Sequence, residues 1–225
     1  MFRYTLNSGR MEPEKSKTVA LIVAHPDDET LWAGGTILNH SLWNWFIVCM
    51  CRSSDAERAS KFSKAVQLLH SGGIMGDLDD GPLQKPLDEI EVERVIMELL
   101  PLKHYDIIIT HNLSGEYTRH LRHEEVSKAV IRLWLAGKIV TDELWTFAYE
   151  DGNKEYFPRA IEKASVCQKL PENIWTRKYH IITETYGFKK NSWEAKTTPH
   201  DEAFWQFTDQ LNAKCWLTQY DKKAI

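Results

Sequence analysis

Three consecutive acidic residues follow a histidine and a proline at the end of an apolar run near the start of the chain. The stretch reads VALIVAHPDDETLW, residues 19 to 32, and its polar centre extends from His25 to Glu29. Adjacent carboxylates repel one another unless a cation lies between them, so this cluster predicts a divalent metal site. Capping of the helix that follows would explain one acid, but it does not explain three acids behind a histidine.

A second group of histidines occurs much later in the chain. His120 and His123 are three residues apart at the predicted start of a helix, in HLRHEEV, so they face the same side. Two histidines, one aspartate and a water make a hydrolytic zinc site, in which the metal lowers the pKa of the water to about 7. Taken alone, this pair is equally well explained as a solvated helix start. His111 ends a predicted strand nearby, and its role is open.

The order of predicted elements brings the two groups together. Strands and helices alternate from residue 17 to 150, which predicts a Rossmann-like α/β fold, with a mostly parallel sheet and helices on both faces. Buried strands are predicted over residues 17 to 25 and 104 to 112. Ligands of such sheets bind beyond the carboxyl ends of the strands. We therefore expect both groups of residues at one edge of the sheet.

The rest of the chain gives weaker signals. Residues 70 to 88 are rich in Gly, Asp and Pro and predict a loop, and a helix is predicted near residues 158 to 170. No domain boundary is evident. We expect a single domain over residues 1–225, with a peripheral arm (1–16), an α/β core (17–150) and a C-terminal extension on the same core (151–225).

Composition excludes several classes of protein. The net charge of −4 gives no basic surface for nucleic acid. No apolar run reaches the length of about 18 residues that a membrane span requires. The polar start of the chain predicts no signal peptide, and the four cysteines read as reduced thiols, so we expect a cytoplasmic protein. HPDDET stands where a dinucleotide fold has its Gly-rich turn, and carboxylates there would repel a pyrophosphate.

Taken together, these motifs resemble those of a known family. AHPDDE after a first strand, Gly34-Gly35 in the next helix and HxxH after a central strand are similar to the LmbE-like deacetylases, which include the N-acetylglucosaminyl-phosphatidylinositol de-N-acetylases. The resemblance covers roughly residues 17 to 150. It implies zinc-dependent hydrolysis of an N-acetyl group on an amino sugar or sugar conjugate, giving acetate and the free amine.

The resemblance also assigns roles to individual residues. His25, Asp28 and His123 match the ligands of one zinc ion per chain. Asp27 matches the general base that takes a proton from the zinc-bound water. His120 matches the residue that polarises the amide carbonyl or stabilises the oxyanion.

Substrate-binding residues are predicted on a less specific basis. Arg52 and Asp55, in CRSSDAER, occupy the loop that contacts sugar hydroxyls in the family. Trp32 follows the acidic cluster, and sugar-binding proteins stack aromatic rings on the apolar face of a pyranose. The chain has HLRH where the family often has HPDH, and its loop differs at CRSSD, so the sugar itself is not identified.

Two other functions stay open. One is another metal-dependent amidohydrolase acting on a small N-acyl compound. The other is a non-catalytic metal- or sugar-binding relative, which the changed Leu121-Arg122 pair favours. A His/His/Asp site also accepts divalent metals other than zinc. Relatives are often homo-oligomers, so self-association is open as well.

Overall fold

The computed structural model describes residues 15–83, 85–117 and 119–223, so most of the predicted arm lies outside the described residues. Within these ranges the chain forms nine strands and seven α-helices, and a π-helical turn over Ile181–Thr185 continues the fifth helix. In chain order the elements are β1 (Thr18–Val23), α1 (Asp28–Asn39), β2 (Asn44–Cys51), α2 (Ala56–Leu68), β3 (Gly72–Leu78), α3 (Glu89–Leu99), β4 (His104–Thr110), α4 (Leu121–Leu135), β5 (Val140–Phe147), β6 (Tyr149–Glu150), β7 (Arg159–Ala160), β8 (Val166–Lys169), α5 (Glu172–His180), α6 (Trp193–Thr197), β9 (Asp201–Phe207) and α7 (Gln210–Lys223).

A seven-stranded sheet organises the molecule, with strand order β3-β2-β1-β4-β5-β9-β8. Strands β1 to β5 are parallel, and β9 pairs antiparallel with β5. Val19 of β1 pairs with Trp45 on one side and Ile107 on the other. The chain thus leaves β1 towards β2 and later returns to its opposite side as β4. The predicted α/β fold is confirmed, and its switch point lies between the ends of β1 and β4.

Helices cover both faces because β1 is apolar at every interior position. Val19, Leu21 and Val23 contribute to one core cluster, which includes Leu31 of α1 and Phe62 of α2. The alternate residues Ala20 and Ile22 contribute to a second cluster with residues of α3, α4 and α7. A strand buried on both faces cannot shift its register without exposing apolar side chains, so the loop after β1 is fixed in position.

The C-terminal extension contributes to the same sheet. β8 pairs antiparallel with β9, which in turn pairs with β5. The helix predicted near residues 158 to 170 is therefore wrong. Side chains of β8 alternate between half-buried and exposed, which is the pattern of a strand with one face against the protein. Pairing with β9 stabilises this strand.

The loop predicted over residues 70 to 88 is also wrong in its first half, which forms the edge strand β3. The glycines of this segment indicated a loop, but in the structure they permit close packing of a strand. A Cβ at Gly73 would lie 3.0 Å from Val66 of α2, and one at Gly76 would lie 2.8 Å from Leu99 of α3. Small residues thus let the edge strand lie against two helices.

Among the described residues, no helix has the combination of length and hydropathy that a membrane span needs.

Candidate metal centre

Three predicted ligand atoms meet at the switch point of the sheet. His25 Nδ1 lies 3.1 Å from Asp28 Oδ2 and 3.2 Å from His123 Nε2. The third side of this triangle, from His123 Nε2 to Asp28 Oδ2, measures 3.3 Å. The first two residues follow β1 and the third lies in α4, so two distant segments build one cluster.

The triangle has the dimensions of one face of a tetrahedral metal site. Nitrogen and oxygen ligands about 2.0–2.2 Å from zinc are roughly 3.3–3.5 Å apart at tetrahedral angles. The three edges of this triangle, 3.1 to 3.3 Å, lie at or just below the lower limit of that range. Two imidazoles and one carboxylate also match the donor set of a catalytic zinc centre with an open fourth position. The residues present therefore fit a divalent ion.

Asp28 is held from several directions. Its Oδ2 accepts a hydrogen bond from the backbone N–H of His25 at 2.8 Å. Its Oδ1 accepts one at 3.1 Å from the indole N–H of Trp32, one helical turn later in α1. Burial alone would raise the pKa of Asp28, but the charge of His123 and hydrogen bonds from the neighbouring histidines lower it well below its usual value. The carboxylate is therefore ionised and fixed in orientation.

Two carboxylates outside the triangle orient the histidine ligands. Glu116 Oε2 lies 2.5 Å from His123 Nδ1, and Asp80 Oδ1 lies 3.2 Å from His25 Nε2. Each acid is placed to accept the N–H of its histidine, and when the rings are neutral the other ring nitrogen carries a lone pair at the triangle. The neighbouring carboxylates raise the pKa of His123 to about 10 against the effect of burial, so a metal ion would displace a proton there. Such carboxylate–histidine pairs fix the tautomer and raise the basicity of metal ligands.

His111 supports the site without lining it. Its Nε2 accepts the backbone N–H of Ala24 at 2.9 Å, so its Nδ1 carries the proton and donates to Glu116 Oε2 at 2.9 Å. The lone pair that could bind a metal is therefore used. Although burial opposes the shift, electrostatic attraction and hydrogen bonds from His111 and His123 lower the pKa of Glu116 to about 2.

Asp27 lies beside the triangle in a strained backbone conformation. Its φ of 120° is in the region that non-glycine residues rarely adopt. Asp27 Oδ2 is 3.2 Å from Arg58 Nη1, and its backbone N–H donates to Glu29 Oε2 at 3.0 Å. Burial, followed by the charges of Asp28 and Glu29, raises the pKa of Asp27 well above its usual value. This carboxyl is therefore suited to accept and hold a proton.

The third acid of the cluster, Glu29, is fully buried. Besides the N–H of Asp27, it accepts hydrogen bonds from Tyr186 Oη at 2.7 Å and from Thr30 Oγ1 at 2.5 Å. These contacts tie the strained residue to the π-helical turn of the C-terminal extension. The three acids thus have three tasks, since Asp28 faces the triangle, Asp27 lies beside it and Glu29 anchors the loop.

His120 precedes α4 and its ring packs against the triangle. Ring centroids are 4.6 Å from His25 and 4.2 Å from His123. Its Nδ1 is buried without a hydrogen-bond partner among the residues that the structure describes. Burial and the nearby charge of His123 lower the pKa of His120 to about 3. His120 therefore brings a neutral imidazole to the site.

A cavity of about 180 Å³ opens above these residues. Both the predicted base and His120 line it, and residues of the C-terminal extension close one side. The lining side chains come from His25, Pro26, Asp27, Asp28, Leu31, Trp32, Arg52, Arg58, Asp80, Tyr117, His120, Trp193 and Glu194.

The predicted substrate-binding residues occupy three different environments. Arg52 lies at the cavity rim, and its guanidinium is 2.7 Å from Asp80 Oδ2. Trp32 is fully buried, with its N–H on Asp28. Asp55 is not among the cavity residues; its side chain accepts the backbone N–H of Arg58 at 3.0 Å and caps α2.

Sequence reasoning missed two site residues and the role of a third. Glu116 and Asp80 lie in polar loops that look unremarkable in the sequence. Arg122, between the two site histidines, is fully buried, and its guanidinium donates to the carbonyls of Asp79 at 2.6 Å and Lys85 at 2.8 Å. It thus fixes the loop that carries Asp80. The signal that could have identified Asp80 and Glu116 is their position in the loops that follow β3 and β4, at the edge of the sheet where ligands bind.

Comparison with known families identifies the class of protein. The model of the GlcNAc-PI de-N-acetylase family, PIG-L, matches residues 20–134 of the 225-residue chain. This stretch contains the predicted ligands, the predicted base, most of β1 and all of β2 to β4. The chain belongs to this family.

Individual proteins are similar over most of the chain. An uncharacterized protein of Acanthamoeba polyphaga mimivirus is 25% identical over 178 residues, covering 72% of this chain and 75% of that protein. The structure of N,N'-diacetylchitobiose deacetylase from Pyrococcus horikoshii has a TM-score of 0.67 at 17% identity, over 87% of this chain and 85% of that one. A 4-carboxy-2-hydroxymuconate hydratase from Pseudomonas putida has a TM-score of 0.58 at 16% identity, over 84% and 95%. At these identities the two structures show the shared fold alone.

Proposed function

We propose that the protein is a metal-dependent N-deacetylase that releases acetate from an N-acetylated amino sugar or sugar conjugate. The observation that carries the proposal is the triangle of His25 Nδ1, Asp28 Oδ2 and His123 Nε2, with edges of 3.1 to 3.3 Å, in a chain of the PIG-L family. The fold by itself does not select the reaction, because a hydratase shares it.

His25, Asp28 and His123 would hold the metal, and we propose zinc. When bound, the ion supplies Lewis acidity that makes a water nucleophilic near neutral pH. Glu116 and Asp80 would orient the two rings and raise the basicity of the nitrogens at the triangle, because each is placed to accept the N–H on the opposite side of its histidine.

Asp27 is the proposed general base. Its carboxyl would take a proton from the attacking water as the oxygen bonds to the acetyl carbon, and would pass it to the amine nitrogen as the C–N bond breaks. The raised pKa of Asp27, caused by burial and by the neighbouring acids, supports a group that holds this proton between the two steps. Arg58, 3.2 Å from Oδ2, steadies the carboxylate.

His120 is the proposed partner of the acetyl oxygen. It lines the cavity, and burial keeps its imidazole neutral. A neutral imidazole can donate one hydrogen bond to the carbonyl oxygen, where negative charge develops during attack. The bond would strengthen as the charge grows.

The substrate-binding roles stay proposals. Arg52, at the rim, is placed to contact substrate hydroxyls. Trp32 would act through Asp28, since its ring is fully buried. Asp55 would act by ordering the start of α2, whose Arg58 lines the cavity. Cytoplasmic localisation and self-association stay predictions of the sequence.

Metal content and turnover test the proposal together. Inductively coupled plasma mass spectrometry should find about one zinc per chain in the wild type and in Asp27→Asn, and much less in His123→Ala. Release of free amine from N-acetylglucosamine should fall by about 10²–10⁴-fold in Asp27→Asn, since that is the usual contribution of a general base. Exposed His104, paired with Asp142, provides the control His104→Ala.

Three results would contradict the proposal in different ways. Full turnover by Asp27→Asn would remove the base assignment. Absence of metal after zinc is supplied would remove the hydrolytic mechanism. Metal without turnover on N-acetylated sugars, but with turnover on other N-acyl compounds, would identify a different amidohydrolase.

A further inference from the structure

Trp193 and Glu194 of the C-terminal extension form one wall of the cavity that contains the proposed base. They lie in α6, a five-residue helix that the sequence pattern did not predict. Ala195 and Thr197 of the same helix are buried, and Ser192 caps it by accepting the N–H of Ala195. The wall is therefore held rigidly by packing and by a cap.

The Trp193 ring is an open aromatic surface at this wall. It is 37% exposed, and its centroid lies 4.8 Å from that of Tyr117 in an edge-on arrangement. Trp32, by contrast, is fully buried, and its N–H is used by Asp28. Among the aromatic residues that line the cavity, Trp193 is the most exposed, so it is the one that can offer a ring face to a ligand.

Glu194 adds a polar group beside the ring. Its side chain is half-buried and lines the cavity, and no residue that the structure describes donates a hydrogen bond to its carboxylate. The cavity thus presents an apolar ring next to a free acceptor. Its volume of about 180 Å³ is below the usual range for drug-sized ligands, so it suits a single ring.

We infer that Trp193 and Glu194 determine specificity for a pyranose: the indole ring stacks on the C–H face of one sugar ring, and the carboxylate accepts hydrogen bonds from its hydroxyls. The inference rests on the proposed function, because the sugar must carry its acetamido group towards Asp27. It assigns stacking on the sugar ring to the C-terminal extension and the chemistry to the α/β core.

Binding measurements separate recognition from catalysis. Zinc-loaded Asp27→Asn protein should bind N-acetylglucosamine in isothermal titration calorimetry. Adding Trp193→Ala should weaken this binding about tenfold, which corresponds to about 1.4 kcal/mol. Glu194→Gln should weaken it several-fold, because hydrogen bonds to charged groups are the stronger ones. N-Acetylethanolamine, which has the acetamide without the ring, should respond by less than twofold to either change.

Kinetics on the otherwise unmodified enzyme give a second readout. Trp193→Ala should raise KM for N-acetylglucosamine about tenfold and change kcat by less than threefold, whereas Trp193→Phe should retain most of the affinity. Trp216, which stacks on Phe207 in the α7 region, provides the matched control Trp216→Phe. Circular dichroism and zinc content confirm that each variant is folded.

The inference and the proposed function fail separately. If the sugar binds and binding depends on Trp193, but no variant or wild type hydrolyses it, the proposed function is wrong and the recognition site stands. If zinc-loaded protein does not bind the sugar, or Trp193→Ala leaves binding unchanged, the inference is wrong. Equal weakening of the sugar and of N-acetylethanolamine would also overturn it, because the ring would then only shape the cavity.

Discussion

The Lys178–Glu202 pair and the metal cluster around His25, Asp28 and His123 are both largely buried, but they differ in where their hydrogen-bonding capacity is used. Lys178 and Glu202 are fully buried and lie 2.7 Å apart. Glu202 also accepts the backbone N–H groups of Gly35 at 2.8 Å and Thr36 at 2.6 Å, and Lys178 donates to Pro199 at 3.3 Å. The ammonium and both carboxylate oxygens thus have internal partners.

The metal cluster has the opposite arrangement. The outer ring nitrogens of its histidines face Glu116 and Asp80, and when the rings are neutral the lone pairs of His25, Asp28 and His123 converge. Converging lone pairs repel one another unless a cation lies between them. Burial of charge is therefore common to both clusters, and the direction of the lone pairs is what separates a structural cluster from a candidate site.

The largest expected effect comes from breaking the self-contained pair. Lys178→Met should lower the free energy of unfolding by about 3–5 kcal/mol, because it leaves Glu202 as a buried charge without its counter-ion. Urea unfolding of the zinc-loaded protein measures the loss. Lys138, exposed and 3.6 Å from Glu93, provides the control Lys138→Met, which should cost less than about 1 kcal/mol. Equal costs for the two variants would show that the buried pair has no special role.

The metal cluster should respond in affinity rather than in stability. Glu116 faces the Nδ1 atoms of His111 and His123 with Oε2 and accepts the backbone N–H of Asn112 with Oε1, whereas the amide of Glu116→Gln has a single acceptor oxygen and no charge. Zinc affinity should fall by about 10–100-fold, as for other partners of metal-bound histidines. Competition with a chelator measures this change. Glu150→Gln, at an exposed carboxylate paired with Arg159, should leave affinity unchanged. An unchanged affinity in Glu116→Gln would mean that His123 needs no orienting partner.

The same comparison shows which features can be predicted from sequence. His25, Asp27 and Asp28 are adjacent in the chain, and His120 and His123 share one helix start, so local spacing already groups them. Parallel strands β1 and β4 then bring the groups to one edge of the sheet. The convergence of the three side chains follows from these two facts, and their role as metal ligands stays a prediction.

Partners that depend on packing could not be predicted in this way. Asp80 reaches His25 only because β3 forms an edge strand, and the Gly-rich sequence there indicated a loop. Glu202 pairs with Lys178 only because β9 joins the sheet beside β5. The sequence predicts that Trp32 stacks on a sugar, but the orientation of α1 buries its ring in the core. Sequence periodicity does not report which helix covers which face.

Arg122 is intermediate between the two clusters, since it is buried and hydrogen-bonded but adjacent to His123, a proposed metal ligand. Arg122→Lys keeps the charge and loses the fork that spans the carbonyls of Asp79 and Lys85. We expect a loss of about 1–2 kcal/mol in the free energy of unfolding, with a several-fold drop in zinc affinity because Asp80 is held less firmly. Chelator competition and urea unfolding on the same sample measure both. A stability loss with no change in affinity would place Arg122 among the purely structural charges.

The smallest effect distinguishes a helix cap from a sugar contact at Asp55. Its side chain accepts the N–H of Arg58 in the first turn of α2. As a cap, Asp55→Ala should cost about 1 kcal/mol of unfolding free energy, whereas Asp55→Asn, which caps equally well, should cost almost nothing. KM for N-acetylglucosamine should then be unchanged in the Asn variant. If the negative charge of Asp55 instead binds a sugar hydroxyl, Asp55→Asn should keep the stability of the wild type and raise KM for N-acetylglucosamine. The Asn variant therefore decides between the two roles, because it separates the cap from the charge.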